Sequence, residues 1–193
     1  MRERRPRDTR RHPATNGRER VILSSESPAT YLQSQGQDVR GWRRSDAAAL
    51  SAAWADSDIA RFNGVPQDTS VAFAERWIAG TATQTLQSVV IDLVIEDDGV
   101  VVGEVGLQIN RDRRIAEVGF WVTQAARRTG VGSRLLFAAE SLASPVGDVD
   151  LFAITLAENV AAIALLEARR WPEVETTTAH KRAFRWRPSR PHT

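Results

Sequence analysis

Five segments of the chain have the pattern of apolar residues expected of β-strands, and the last of them alternates strictly between apolar and polar positions. These segments are residues 88–96, 100–109, 115–122, 149–156 and 179–187. The first two are joined by Asp97, Asp98 and Gly99, a sequence that favours a tight hairpin turn. A further short strand is expected at residues 38–42, where the folded domain should begin.

Four other segments repeat apolar residues at the spacing of an amphipathic helix. They are a segment that begins at Ser45, residues 70–79, the stretch with Val131, Leu135, Ala139 and Leu142 on one face, and residues 159–169. The third helix separates strands 115–122 and 149–156, so the crossover should make these two strands parallel. The order predicts a mixed α/β domain of the α+β class, with a mostly antiparallel sheet and one parallel pair.

Residues 1–37 contain arginine, proline, serine, glutamine and glycine without sustained periodicity, and they predict a flexible N-terminal extension before a domain at 38–193. Residues 1–20 hold eight arginines and three acidic residues, whereas the whole chain carries a net charge of +2. The remainder is therefore mildly acidic, which suits a cationic amine acceptor better than a nucleic acid. The arginines could form an RNA-binding arm or simply a solvated tail.

The 193 residues are enough for one domain with a substantial core. The chain has no cysteine, which excludes disulfides, thiolate zinc sites and a cysteine nucleophile. No apolar run approaches the length of a membrane span or of a secretory signal, so a cytoplasmic protein is expected. No cluster of residues has metal-ligand spacing, so no metal is predicted.

The loop at residues 127–133 predicts an anion site, because it lies between a strand and the start of a helix. Free backbone N–H groups and the helix dipole favour a negative ligand there. Gly130 and Gly132 would let a phosphate approach the backbone, and Arg127, Arg128 and Arg134 add positive charge. The sequence fits neither a P-loop, which needs a Gly-Lys pair, nor the three-glycine dinucleotide fingerprint.

This Arg-x-x-Gly-x-Gly pattern resembles motif A of the GNAT superfamily of acyl-CoA-dependent N-acetyltransferases. Residues 159–171 are similar to the second signature of that family, with Asn159 opening a helix and an Ala-Ile pair following. Residues 116–121 resemble its fourth strand, and the overall likeness is greatest to the branch that includes ribosomal-protein alanine acetyltransferases. The resemblance implies a GNAT-like fold, with a six- to seven-stranded sheet, a splayed parallel pair and about four flanking helices.

The resemblance also implies a function and a set of site residues. The function is direct transfer of an acetyl group from acetyl-CoA to a primary amine, either a protein N-terminus or a small molecule, in a ternary complex. The residues expected to bind the cofactor are Phe120, Trp121, Val122, Arg127, Arg128, Thr129, Gly130, Val131, Gly132, Ser133 and Asn159. Glu117 is the first candidate for the general base and Glu104 the second, because a protonated amine must lose a proton before it attacks. Glu104 could instead hold a cationic acceptor. Asn159 could equally be a helix cap.

Two positions depart from the family pattern. Leu166 stands where many members have a tyrosine that protonates the leaving thiolate, and Arg170 stands where a glycine usually ends the helix. These departures leave open a non-catalytic acyl-CoA-binding module, and the arginine-rich arm leaves open a nucleic-acid-binding protein. Trp171 and Trp186 are expected to be exposed, where they could support a homodimer.

Overall fold

The computed structural model describes residues 25–189, which form a six-stranded mixed sheet with helices on both faces. The strands are β1 (Val90–Asp97), β2 (Val100–Asn110), β3 (Ile115–Val122), β4 (Asp150–Leu156), β5 (Glu173–Val174) and β6 (Lys181–Trp186). The helices are α1 (Pro28–Ser34), α2 (Ala47–Ala55), α3 (Ser57–Phe62), α4 (Val71–Thr81), α5 (Val131–Leu142) and α6 (Val160–Ala168). None of the helices within 25–189 has the length and apolar character needed to cross a bilayer.

The strand order across the sheet is β1-β2-β3-β4-β6-β5, and the predicted parallel pair is confirmed as β3 and β4. All other neighbours are antiparallel. The predicted β1–β2 hairpin turns through two residues with left-handed backbone, Asp98 at φ +46° and Gly99 at φ +79°. This is the turn whose twist matches that of paired strands.

The parallel pair is short, and its end creates an opening in the sheet. Strands β3 and β4 pair only at Ile115–Asp150, Ala116–Leu151 and Glu117–Phe152. Beyond Glu117, β3 continues to Val122 with β2 as its one strand partner among the described residues. Backbone polar groups on the other edge of β3 are therefore available to a ligand.

Two hydrophobic cores cover the two faces of the sheet. On one face, α5 packs its predicted apolar side onto the sheet, and Val131, Leu135, Ala139 and Leu142 are all buried. On the other face, α2 and α4 pack over β1–β3 through an aromatic cluster. That cluster contains Trp42, Trp54, Trp77 and Trp121, with Trp54 and Trp77 in edge-to-face contact at 5.9 Å between ring centroids.

The structure contradicts one part of the predicted N-terminal extension. Residues 28–34 form helix α1, which Ser27 caps by accepting a hydrogen bond from the backbone N–H of Thr30. Leu32 of this helix is fully buried in the α5-side core. A seven-residue helix with only two buried side chains has too short a periodic pattern to be recognised from sequence. Residues 1–24, which hold the arginine-rich part, lie outside the described residues.

Several smaller predictions differ from the structure. The strand expected at 38–42 is a single bridge, in which Arg40 and Val94 exchange backbone hydrogen bonds of 3.0 and 2.8 Å. The helix expected from Ser45 starts as a 3-10 turn at Arg44–Asp46 and becomes α-helical at Ala47. Helix α3 and strand β5 were not predicted. Asp56 caps α3 by accepting from two backbone N–H groups, but six residues are too few for a clear helical pattern.

The prediction that Trp171 is exposed is wrong. Its side chain is 2% exposed, and its indole N–H donates to Glu140 Oε1 at 2.8 Å. Glu140 also forms an ion pair with Arg169, so polar contacts of Glu140 hold both Trp171 and Arg169 in place. Trp186 is only half-buried, against the α5-side core. The expected homodimer therefore loses one of its two proposed contact residues.

Arg170 ends α6 with the backbone geometry that a glycine would adopt. Its φ is +59°, and the N–H of the next residue, Trp171, donates to the carbonyl of Leu166 at 3.0 Å. This bond pattern closes many helices, and glycine is favoured at the left-handed position because a Cβ atom is strained there. The chain therefore keeps the helix end that the family glycine provides, at a cost in backbone strain.

Replacing Arg170 by glycine is expected to raise the free energy of unfolding by about 1 kcal/mol, because the strain at positive φ is relieved. The matched control is Arg170→Ala, which removes the same charge but retains a Cβ atom. Urea denaturation of the three proteins measures the difference. Equal stability of the glycine and alanine variants would contradict the assignment of strain to this residue.

Candidate active site

The loop between β3 and α5 presents backbone donors at the start of a helix. Gly130 is the N-cap of α5 with φ +91°, and Arg128 is also left-handed, at φ +68°. Within residues 25–189, no backbone carbonyl accepts a hydrogen bond from the N–H groups of residues 128–133. The first helical bond is that of the Arg134 N–H to the carbonyl of Gly130, at 3.1 Å. These donors and the helix dipole make a site for an anion.

Gly132 is required for a different reason, which is close packing between α5 and α6. A Cβ atom built at Gly132 would lie 2.7 Å from Cδ2 of Leu165 on α6. The lack of a side chain therefore lets α6 approach the first turn of α5. The two helices together form one wall of a groove beside the opening in the sheet.

A cavity of about 590 Å³ lies in this groove, between α3, the loop before α5 and the start of α6. Its lining includes most of the residues that the sequence assigned to the cofactor: Phe120, Trp121, Val122, Arg127, Arg128, Gly130, Gly132, Ser133 and Asn159. Two predicted members do not line it. Val131 is buried in the core, and the Thr129 hydroxyl donates to the carbonyl of Ala126 at 2.7 Å.

The three arginines near the loop have different partners. Arg127 pairs with Asp58 of α3 at 2.8 Å, and Arg134 pairs with Asp38 at 2.7 Å. Arg128 is exposed and forms no ion pair with any residue from 25 to 189. Arg128 is thus a cation at the loop that can bind a ligand without breaking an existing contact to the described residues.

Helix α3 bridges the groove through two ion pairs. On one side Asp58 contacts Arg127 of the loop, and on the other side Arg61 contacts Glu158, just before α6, at 2.9 Å. Both pairs are partly exposed, so each contributes less than about 1 kcal/mol. These pairs add little to the attachment of α3, which is anchored by Ile59 in the aromatic-side core.

A second cavity of about 200 Å³ adjoins the first, because Asn63, Phe120 and Trp121 line both. It lies on the aromatic side of the sheet, with Trp54 and Trp77 among its walls. The junction is at the free edge of β3, where the opening between β3 and β4 begins to widen. The two cavities therefore lie next to each other at this edge of β3, with Phe120 and Trp121 between them.

Glu104 lies in the second cavity, and both of its carboxylate oxygens accept indole hydrogen bonds. Trp42 Nε1 donates to Oε1 at 3.1 Å, and Trp121 Nε1 donates to Oε2. Burial and, to a lesser extent, the nearby charge of Asp92 raise the pKa of Glu104 to about 7, although the two indole donors oppose the shift. A carboxylate with this pKa can accept a proton near neutral pH.

Glu117, the first candidate for the general base, lies elsewhere. It is exposed and lines a separate cavity with Gln108 and Ile115, at the end of β3 that is still paired with β4. Four residues separate it along the strand from Trp121 at the junction, which corresponds to roughly 13 Å. The structure thus brings Glu104, and not Glu117, to the meeting point of the two cavities.

Two further positions of the sequence pattern have defined places in the structure. Asn159 caps α6, since its Oδ1 accepts from the backbone N–H of Ala162 at 3.2 Å. It also lines the larger cavity, so the cap and a ligand contact by its amide group are compatible. Leu166, at the position of the family tyrosine, is fully buried in the core and does not line either cavity.

Sequence patterns alone missed Asp92, the glycine pair Gly106 and Gly119, and the α3 residues. Asp92 could have been noticed, because it interrupts an otherwise apolar strand of valine, isoleucine and leucine. A charged residue at a buried strand position usually has a partner or a function. The α3 contacts could not have been found, because they depend on tertiary packing across the groove.

The sequence matches the family model of the acetyltransferase (GNAT) domain over residues 38–169. The chain belongs to the GNAT family. As a GNAT protein it is an N-acetyltransferase that uses acetyl-CoA as co-substrate, in agreement with its fold and with the anion site before α5. Within residues 25–189, no group of three or more His, Cys, Asp or Glu side chains could hold a metal ion.

Solved structures of other acetyltransferases share this GNAT fold. RimL, a ribosomal L7/L12 α-N-protein acetyltransferase in complex with coenzyme A, has a TM-score of 0.68 at 15% identity, covering 78% of this chain and 93% of its own. RimJ of Mycobacterium smegmatis, in complex with CoA-disulfide, has a TM-score of 0.64 at 20% identity, covering 77% and 80%. The putative acetyltransferase yncA from Salmonella typhimurium, with its cofactor acetyl-CoA, has a TM-score of 0.62 at 17% identity, covering 80% and 95%. A search of curated proteins gives no significant match.

Proposed function

We propose that this GNAT protein transfers the acetyl group of acetyl-CoA directly to a primary amine, with Glu104 as the general base. The observation that carries the proposal is the junction of two cavities at Phe120 and Trp121. The larger cavity takes the cofactor and the smaller takes the amine. Glu104 lies beside the junction and accepts a hydrogen bond from Trp121.

In this proposal, acetyl-CoA is bound mainly by backbone N–H donors. The pyrophosphate of acetyl-CoA binds the N–H groups of residues 128–133, with Arg128 adding positive charge. The pantetheine arm extends along the free edge of β3 as an added strand would, which brings the thioester to the junction. Backbone N–H groups at that edge then polarise the thioester carbonyl.

The chemical step requires a neutral amine. Glu104 accepts a proton from the acceptor ammonium, directly or through one water, and the amine nitrogen then attacks the thioester carbon. The C–S bond breaks, coenzyme A leaves as a thiolate, and the nitrogen, which became positively charged on attack, releases its second proton to solvent. Glu104 then returns its own proton to solvent. Leu166 supplies no proton, so the thiolate takes its proton from solvent or from Ser133, which lines the same cavity.

The proposal is tested by incubating the full chain with acetyl-CoA and a panel of amines and N-terminal peptides, while release of free thiol is followed. We expect thiol release that depends on an amine, and calorimetry should detect binding of coenzyme A alone. Coenzyme A binding without amine-dependent release would favour a non-catalytic acyl-CoA-binding module instead. A cytoplasmic location stays a prediction, and so does the role of residues 1–24.

Asp58 is expected to weaken cofactor binding, because it neutralises Arg127 and adds a negative charge to the cavity. The Asp58→Asn variant should lower the Kd for coenzyme A by roughly two- to fivefold, as expected when a partly exposed pair is removed. The measurement is isothermal titration calorimetry at low and high salt, and the gain should shrink as salt rises.

The matched control is Asp38→Asn, which releases Arg134 from a similar ion pair outside the cavity. It should leave the Kd unchanged. Weaker binding by Asp58→Asn would mean that the pair with Arg127 holds the loop in its binding shape.

A further inference from the structure

The smaller cavity contains two carboxylates and no basic side chain among the described residues that line it. These carboxylates belong to Asp92 and Glu104, on neighbouring strands β1 and β2. Gly106 and Gly119, which pair across β2 and β3, form a floor without side chains between them and the junction. The smaller cavity, which we call the slot, is therefore negatively charged and has aromatic side chains in its wall.

Asp92 is mostly buried, and the one of its oxygens that accepts no hydrogen bond from the described residues is accessible and not an orphaned buried atom. Its side chain is 8% exposed, and Oδ2 accepts a hydrogen bond from Gln84 Nε2 at 2.8 Å. Within residues 25–189, Oδ1 accepts no hydrogen bond. A Cβ atom built at Gly106 would lie 2.9 Å from Oδ1, so this oxygen lies over the glycine floor of the slot.

The strand register places the two acidic residues close together on one face of the sheet. Glu104 pairs with Val94, and Asp92 is two residues further along β1, which makes it the diagonal neighbour of Glu104. The backbone positions of diagonal neighbours on one face of a sheet are roughly 7–8 Å apart. A ligand with two amines on a short aliphatic chain is of a size that can contact both side chains.

The electrostatics of the slot favour a cationic ligand. Burial raises the pKa of Asp92, and both burial and the charge of Asp92 raise the pKa of Glu104. Neither carboxylate has a lysine or arginine partner among residues 25–189. A ligand with positive charge would offset the cost of burying both groups. Trp54, Trp77 and Phe120 offer apolar surface to methylene groups and ring faces to a cation.

From this arrangement we infer that the acetyl acceptor is a small aliphatic diamine, with one amine at Glu104 and a second ammonium at Asp92. The inference rests on the proposed acetyl transfer and names its substrate class. Asp92 is then a positioning residue, because it binds the distant ammonium and holds the reacting amine at the junction. Free amino acids are excluded, because their carboxylate would face two like charges.

The first test compares diaminobutane with butylamine, which has the same carbon chain and one ammonium fewer. With saturating acetyl-CoA, kcat/KM for the diamine should exceed that for the monoamine by roughly ten- to a hundredfold, the range of a hydrogen bond to a charged group. Equal values for the two amines would overturn the inference. So would a clear preference for peptide N-termini over the diamine.

Two variants test whether the slot causes the preference for diaminobutane over butylamine. Asp92→Asn keeps the size of the side chain, and it should raise KM for diaminobutane relative to KM for butylamine by a similar factor. The two amines are compared above about pH 8, where Glu104 is ionised with or without the charge of Asp92. Gly119→Ala adds a methyl group in open space at a normal backbone angle, so it should fill the slot without unfolding the protein. It should raise KM for both amines and leave the affinity for coenzyme A intact. Equal losses on both amines in Asp92→Asn would contradict the role of Asp92.

A binding measurement separates failure of this inference from failure of the proposed function. Diaminobutane is titrated into the full chain saturated with coenzyme A, while tryptophan fluorescence from the aromatic walls is followed. Binding that weakens roughly tenfold or more in Asp92→Asn supports the slot even if no amine is acetylated. Absence of diamine binding in the unsubstituted protein overturns the inference, whatever the result with other amines.

Discussion

Replacing Glu104 by glutamine is expected to lower kcat by about 10²- to 10⁴-fold, the usual contribution of a general base. Glutamine retains the shape of the side chain and can still accept an indole hydrogen bond, but it cannot accept the amine proton. The affinity for coenzyme A should not change, because Glu104 does not line the larger cavity. Steady-state kinetics with the best acceptor, together with calorimetry, measure both quantities.

The pH dependence provides a second readout of the same variant. Because the base must be ionised, kcat/KM of the unsubstituted enzyme should rise with pH through about 7, where burial holds the pKa of Glu104. The residual activity of Glu104→Gln should lack this rise and keep only the dependence that comes from the amine itself. The matched control is Glu117→Gln, which should change kcat by less than about twofold. The opposite result, a slow Glu117→Gln variant and an active Glu104→Gln variant, would identify Glu117 as the general base instead of Glu104.

The raised pKa of Glu104 also has a consequence for stability. Its ordinary value of 4.5 applies in the unfolded chain and a value of about 7 in the folded protein. Its contribution to stability is therefore complete below about pH 4.5 and is lost as the pH rises to about 7. The loss is roughly 3 kcal/mol for a shift of this size. Urea denaturation across this window should show a flatter pH dependence for Glu104→Gln.

Replacing Gly130 by alanine is expected to weaken coenzyme A binding by roughly ten- to a hundredfold, which corresponds to one lost hydrogen bond to a charged group. At φ +91° an alanine is strained, so the loop relaxes and turns its N–H groups away from the phosphate. The new methyl group meets no other atom, since none lies within 4 Å of a Cβ built there, so the effect comes from the backbone and not from a clash within the protein. Calorimetry with coenzyme A measures the effect.

Gly99→Ala is the matched control for Gly130→Ala. Gly99 has a similar φ of +79°, and a Cβ there also meets open space, but it lies in the β1–β2 hairpin turn. The two variants should lose a similar free energy of unfolding, about 1–2 kcal/mol, whereas only Gly130→Ala should lose cofactor affinity. Equal cofactor affinity in both variants would contradict the role of the loop amides.

Elements with a long periodic pattern could be predicted from the sequence. Strand β3 has the predicted bounds, and α5 buries the predicted face. The phosphate loop could also be predicted, because closely spaced glycines between a strand and a helix are typical of a turn that binds an anion. Helices α1 and α3 were missed, since each has fewer than eight residues and is stabilised by tertiary contacts.

The general base could not be chosen from sequence because the choice depends on strand register and on which helices cover each face. Glu104 and Glu117 both lie in strands and both face the same side of the sheet, two positions from a glycine. Only Glu104 is covered by the tryptophans of α2, α4 and the preceding loop, which bury it and raise its pKa. The spacing of residues along the sequence does not show which helices cover each face of the sheet.

The short pairing of β3 with β4 should also affect the amide exchange of the sheet. Three residue pairs connect a half-sheet of β1–β3 to a half-sheet of β4–β6. The two halves are thus joined by little backbone hydrogen bonding, and amide exchange in each half should proceed as its own cooperative unit. A cofactor bound between the two half-sheets would connect them into one cooperative unit and would slow amide exchange in both together.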